Sequence, residues 1–282
     1  MPFTPSHAVV ALPFVRTPLI PAAIAVGAMA PDLPLFTRNL PVHYVRTHDL
    51  AWLPVTVILA LALLLVWRSV VRPAVRELSP RWLAARLPEA WDASAAQSAR
   101  ETLAVVRSDR SRWRVSWPAL LMVLLSLALG ILSHVLWDLF THEGRAGVDA
   151  IPALDERWGP LDGYKWLQHG SSLVGLAIIA IWMLVWLSKR DAAASVPRLV
   201  PTWVRWAWWL SLPAALVVAW LAGLAVHGPL DAEFTVAHLA YRVLPLACGL
   251  WGVATLALCV GVQMRRARHA RRVQSPDHLA SS

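Results

Sequence analysis

Residues 116–142, SWPALLMVLLSLALGILSHVLWDLFTH, decide how this chain is read. The run is long and apolar enough to cross a bilayer, which takes about 20 such residues. Yet it ends on His134, Asp138 and His142, spaced four apart. In an α-helix an i, i+4, i+8 row drifts only slowly around the axis, so the three side chains share a face. Two imidazoles and a carboxylate are the donor mixture that binds zinc or a similar divalent metal. Ionisable groups on a helix that enters lipid are costly, and they mark functional sites.

The rest of the chain agrees with a membrane setting. Of 282 residues 57% are hydrophobic and 15% charged, with a mean hydropathy of +0.53. This is more apolar than a soluble domain of this size. Five segments read as full spans: 50–67, 116–140, 171–188, 206–226 and 239–263. The expected fold is an all-α polytopic membrane protein forming a single domain over 1–263. The tail 264–282, rich in Arg, is expected to be disordered. The opening stretch MPFTPSHAVVALPFV lacks a basic n-region and a small-residue cleavage site, so it reads as mature sequence.

The net charge of +9 comes almost wholly from Arg. Location argues against nucleic-acid binding. The loop 68–115 carries ten Arg against five acidic residues, the loop 189–205 carries Lys189, Arg190, Arg198 and Arg205, and the tail carries five more Arg. The positive-inside rule puts these segments in the cytoplasm and the alternate loops 141–170 and 227–238 outside. Trp52, Trp67, Trp117, Trp137, Trp186, Trp203 and Trp206 fall near span ends, as an interfacial belt does. Trp82, Trp91 and Trp113 sit among the Arg of the first basic loop, which reads either as short amphipathic helices on the inner leaflet or as an ordinary loop. Cys248 and Cys259 would lie about 16 Å apart on one helix, too far for a disulfide.

Residues 1–49 contain two apolar stretches, each too short and too broken by Pro to span alone. They read as a re-entrant helical hairpin, tolerable at that depth only where protein buries it. A hairpin returns Asp32 to the mouth where His7 enters. The topology then gathers His7, Asp32, His43, His48, Asp49, His134, Asp138, His142, Gln168 and His169 on the outer side. Chemistry alone does not choose between His43 and His48.

The stretches PFTPSHAVVALPF, GAMAPDLPLF, RTHD, LSHVLWDLFTH and LQHGSSL resemble, in order, the bacterial membrane family called domain of unknown function 4184. That family is in turn similar to the YdjM-like membrane-bound metal-dependent hydrolases and, more distantly, to zinc-dependent phospholipase C and fungal zinc nucleases. The resemblance implies His7, Asp32, His48, His134, Asp138, His142 and His169 as metal ligands, with Asp138 bridging. It implies one to three divalent ions, zinc foremost, and a bacterial inner-membrane location. The chain departs from these patterns in two places. Asp49 stands where the YdjM pattern has Ser, and Leu173 stands where the phospholipase pattern has a Glu ligand.

The function expected is a metal-dependent hydrolase of a phosphoester at the outer face, with Asp32 or Asp49 orienting water or acting as base. A site about 9 Å below the helix end suits a lipid headgroup, and Arg145, Arg157 and Lys165 are candidate phosphate contacts. Membrane lipids are the expected partners. Two non-hydrolytic readings use the same residues: a structural metal clip, and a transporter or proton relay.

Overall fold

In the computed structural model the described residues are 4–37, 41–107 and 113–274, with no side-chain description for 272–274. The protein is all-α and polytopic. Among the described residues five helical stretches are long and apolar enough to cross a membrane: Leu50–Leu78, Trp117–Thr141, Gly163–Ser188, Thr202–His227 and Val236–Arg271. The labelled helices are α1 (Pro21–Met29), α2 (Leu53–Val66), α3 (Arg72–Leu78), α4 (Trp117–Thr141), α5 (Gly163–Ser188), α6 (Thr202–His227) and α7 (Val236–Gln274). Among the described residues the sheet content is two short antiparallel pairs, Val105–Arg107 with Trp113–Val115 and Arg157–Trp158 with Leu161–Asp162.

Several helices outrun the expected spans. Hydropathy marks the lipid-length core of a helix, whereas the backbone ladder continues into polar residues until a cap or a Pro stops it. Thus α5 starts at Gly163, eight residues before the expected 171. Helix α7 runs to Gln274, so residues 264–274 of the tail expected to be disordered are helical. Residues 275–282 lie outside the described set.

The chain divides into two compact units. The first comprises Met1–Pro34, Asn39–Leu65 and Arg100–Lys189. Here Thr4–Phe14 forms an unusually long 3₁₀ helix that turns back into α1, and this pair is the expected hairpin. Its tip is tied down by Ile20, whose N–H donates to Ser126 Oγ of α4 at 3.0 Å. Ser126 lies eight residues before His134, about 12 Å along the helix. At the mouth, Thr4 Oγ1 donates to Asp32 Oδ2 at 2.7 Å and closes the hairpin.

Helix α1 lies on α4 through small residues. A Cβ on Gly27 would sit 2.3 Å from the Leu127 carbonyl oxygen, and one on Gly130 would sit 2.1 Å from that of Ile24. Where surroundings are lipid-like, such small-residue crossings replace the hydrophobic drive with close backbone packing. Gly175 of α5 likewise admits Ser6, whose carbonyl oxygen would be 3.0 Å from an added Cβ.

The second unit comprises Leu35–Arg38, Val66–Ala99 and Arg190–Ser282. A π-helical turn at Trp67–Val71 precedes α3, which has Pro73 in its first turn. Gln263 of α7 donates to the Ser69 and Val70 carbonyls at 2.8 and 3.0 Å, satisfying groups that the Pro and the wide turn release. Ala74, Leu78, Val200, Cys259 and Val262 form a buried apolar cluster.

Gly130→Ala should lower stability by about 1–3 kcal/mol through overpacking. Thermal unfolding in detergent checks this. Gly252→Ala is the control, since an added Cβ there meets nothing within 4 Å.

Candidate metal centre

The row on α4 supplies His134 and Asp138, both buried on the face that packs against the hairpin. The 3₁₀ helix adds His7, the end of the hairpin adds Asp32, and the segment after it adds His48, all buried. His134 is only 1% exposed. The His7 and His134 rings lie 4.1 Å apart between centroids.

Backbone carbonyls set the imidazoles. His134 Nδ1 lies 2.8 Å from the Ala28 carbonyl oxygen, and His48 Nδ1 lies 2.9 Å from that of Tyr44. A carbonyl can only accept, so each ring carries its proton on Nδ1 and offers a lone pair at Nε2. These two Nε2 atoms face each other at 3.1 Å. Asp138 Oδ2 is 3.4 Å from the His48 nitrogen and 3.5 Å from the His134 nitrogen; Asp32 Oδ1 is 3.8 and 3.7 Å from them.

Two lone pairs and two carboxylate oxygens converging in a buried space repel unless a cation lies among them. One extra proton on a ring would join the two nitrogens. It would leave His7 Nε2 and Asp138 Oδ1, both buried, still without a hydrogen-bond partner among the described residues. The donor set is one that could hold a divalent cation. Two overlapping trios have ligand atoms mutually within 4.8 Å: His7, His134 and Asp138, and Asp32, His48 and His134. His134 is common to both. Asp32 is held from behind, as ligands to metals usually are, while Asp138 is held at the oxygen that faces the rings. Thr4 binds the far oxygen of Asp32, and Tyr44 Oη donates to Asp138 Oδ2 at 3.5 Å. Thr47 Oγ1 donates to the Pro31 carbonyl at 2.7 Å, fixing the His48 segment to the hairpin end.

His142 stands at the rim. Its Nδ1 is 3.6 Å from Asp138 Oδ2 and its Nε2 is 3.3 Å from Gln168 Nε2, outside both trios. Burial lowers its ring below the ordinary imidazole range, outweighing the pull of Asp138. Burial, then the charges of Asp138 and Asp32, push the Tyr44 hydroxyl well above its usual value, so it remains a donor. Arg145 acts on both of these groups. Lys165 is instead tied to Asp162 at 2.7 Å, and Arg157 to the Gly159 carbonyl at 3.1 Å.

Three expected members stand apart from the cluster. His169 is exposed, because α5 is already helical there and each residue turns about 100° from the last. Gln168 is the residue that faces inward. Asp49 is exposed, and its carboxylate accepts from the Ala51 N–H at 2.9 Å as a local cap. His43 is exposed, and of the pair left open by chemistry it is His48 that lies buried within a trio. Sequence reasoning passed over Tyr44, Thr4 and Thr47. The i, i+4 spacing of Tyr44 and His48 was the one available signal.

A family model, "Domain of unknown function (DUF4184)", matches residues 1–232, and the chain belongs to that family. The match takes in every member of the cluster. No curated protein and no solved structure matches the chain.

His134→Ala, which removes the shared ligand, should abolish divalent metal retained through purification, whereas His169→Ala should leave it at wild-type stoichiometry. Thr4→Val, which frees Asp32, should weaken metal affinity by about tenfold. Elemental mass spectrometry and competition with a chelating dye read these outcomes.

Proposed function

We propose that this protein is a membrane-embedded, metal-dependent hydrolase that cleaves a phosphoester of a lipid headgroup. The observation that carries the reading is the pair of facing imidazole nitrogens flanked by Asp32 and Asp138. The likeness of the sequence motifs to YdjM-like hydrolases and zinc-dependent phospholipase C supports the same chemistry. His7, Asp32, His48, His134 and Asp138 would hold the metal, and zinc suits their mixture of nitrogen and oxygen. Such an ion supplies Lewis acidity, under which water ionises near neutral pH.

The protein's own groups divide the remaining work. Asp32, with one oxygen engaged by Thr4, keeps the other toward the cluster, where as the base it would take a proton from water in place of binding the ion. Asp49, turned to solvent, has no such position. Tyr44 holds Asp138 by its hydroxyl, and Arg145 brings positive charge to the rim for a phosphate.

A lipid substrate is supported by the surroundings of His7. An apolar cleft of about 590 Å³ runs from Ser6 and His7 along Trp137, Phe140, Val174 and Ile178. Val174 is 57% exposed on the outer surface of α5, so the cleft opens sideways, where lipid would lie. An acyl chain in it would bring its headgroup to the cluster. By the bias of Arg to the loops 68–115 and 189–205, the cluster belongs to the extracytoplasmic side of an inner membrane.

Phospholipid hydrolysis in nanodiscs, followed by phosphorus NMR, tests this. Turnover should vanish on chelation and return with zinc. Asp32→Asn should reduce it by about 100-fold or more. Val174→Trp should slow long-chain lipids at least tenfold while sparing a short soluble diester. Stoichiometric metal without turnover on any phosphoester would refute the hydrolase and leave a closed structural site.

A further inference from the structure

The second unit carries a separate cluster of charge at Arg81, Arg198 and Arg205. Its local carboxylates are already committed. Glu77, fully buried, accepts the Leu199 and Val200 N–H groups at 3.0 and 2.9 Å, with Arg205 and Arg266 each 3.7 Å from it. Asp92 pairs with Arg76 and with Arg266. Arg81 and Arg198 reach no carboxylate among the described residues.

Arg198 is held rather than neutralised. Its Nη1 donates to the Glu77 and Ser79 carbonyls at 3.2 and 2.7 Å, while its Nη2 is buried without a hydrogen-bond partner among the described residues. Burial depresses its pKa, and the neighbouring Arg205, Arg81 and Arg76 depress it further, against a pull from Glu77.

Two clefts meet at these three guanidiniums. One, of about 370 Å³, is walled by Arg81, Arg198, Arg205 and the backbone-rich stretch 193–196. The other, of about 560 Å³, shares the same arginines and continues along Trp206, Trp209 and Leu210. Trp209 is fixed by its indole N–H to the Leu78 carbonyl at 3.0 Å. Trp206 and Leu210 are 64% and 62% exposed. The position is interfacial, because the span Leu50–Leu78 ends here and Thr202–His227 begins here.

We infer that this is a binding site for an anionic phospholipid, its phosphate received by Arg81, Arg198 and Arg205 and its acyl chain laid along Trp206, Trp209 and Leu210. Guanidiniums bind phosphate oxygens by directed, charge-assisted hydrogen bonds. Basic pockets at helix ends are where such headgroups dock. Arg81, exposed and paired with no carboxylate among the described residues, is the donor that a phosphate oxygen would engage, with Arg198 held in place behind it. A zwitterionic lipid of the same chains sets the positive charge of its headgroup against the arginines, and a free anion leaves the apolar cleft unfilled.

Native mass spectrometry of the full-length protein tests the site, with phosphatidylglycerol, phosphatidylcholine of matched chains, or inorganic phosphate added. Phosphatidylglycerol should be retained preferentially. Arg81→Gln, at an exposed position, should cut its occupancy about tenfold with no change in melting temperature without lipid. Trp206→Ala should reduce lipid retention and leave phosphate binding unchanged. Equal retention of the two lipids, or an Arg81→Gln variant that binds as wild type does, would overturn the inference. Phosphate binding that depends on Arg81, with no preference for phosphatidylglycerol, would overturn it in favour of a free-anion site.

Discussion

The closeness of α1 to α4 is the constraint on which the buried His/Asp cluster depends. Two backbones meet at Gly27 and Gly130, where added Cβ atoms would fall 2.3 and 2.1 Å from carbonyl oxygens of the opposite helix. Ala28 follows Gly27, and His134 lies one turn beyond Gly130. The crossing therefore brings the Ala28 carbonyl to 2.8 Å from His134 Nδ1. A larger residue at either glycine would part the helices and take the carbonyl away from the ring. The packing of the hairpin and the tautomer of the central ligand are one fact seen at two positions.

The hairpin must also solve the problem of non-helical backbone in apolar surroundings, where each unpaired N–H or C=O is expensive. At the tip, Ser126 accepts from Ile20, and the Thr17 hydroxyl donates to the Phe14 carbonyl at 3.0 Å. At the mouth, Thr4 and Thr47 join the hairpin end to its own start and to the His48 segment. With both ends fastened, residues distant in sequence reach His134 without freedom to swing. Such preorganisation holds buried lone pairs and carboxylates at a distance where they could receive a cation.

The legible part of this arrangement follows from periodicity. His134 and Asp138 declare themselves because a four-residue spacing puts both on one face of an apolar helix, where an ionisable pair is too costly to keep without a ligand or partner. Pro-broken apolar segments that cannot span imply a hairpin. What stayed hidden depended on helix phase and on local capping. Hydropathy places the start of α5 near 171, whereas the helix begins at Gly163, and that decides for Gln168 over His169. Asp49 has the chemistry of a ligand but is drawn into a turn by the Ala51 N–H. Tyr44 and Thr4 were passed over because hydroxyls that support carboxylates carry no ligand signature of their own.

The same device recurs in the two units with opposite sign. A carbonyl oxygen can only accept, so a side chain anchored to one must spend a proton on it. When the Ala28 and Tyr44 carbonyls take the Nδ1 protons of His134 and His48, the rings are left presenting lone pairs, and the space between them favours a cation. When the Glu77 and Ser79 carbonyls accept from Arg198, the guanidinium remains charged and its Nη2 is left without a hydrogen-bond partner among the described residues. In each case the anchoring bond restricts the orientation of the side chain. The backbone thus determines which edge each side chain turns to its neighbours, and the side chains determine the chemistry of that edge.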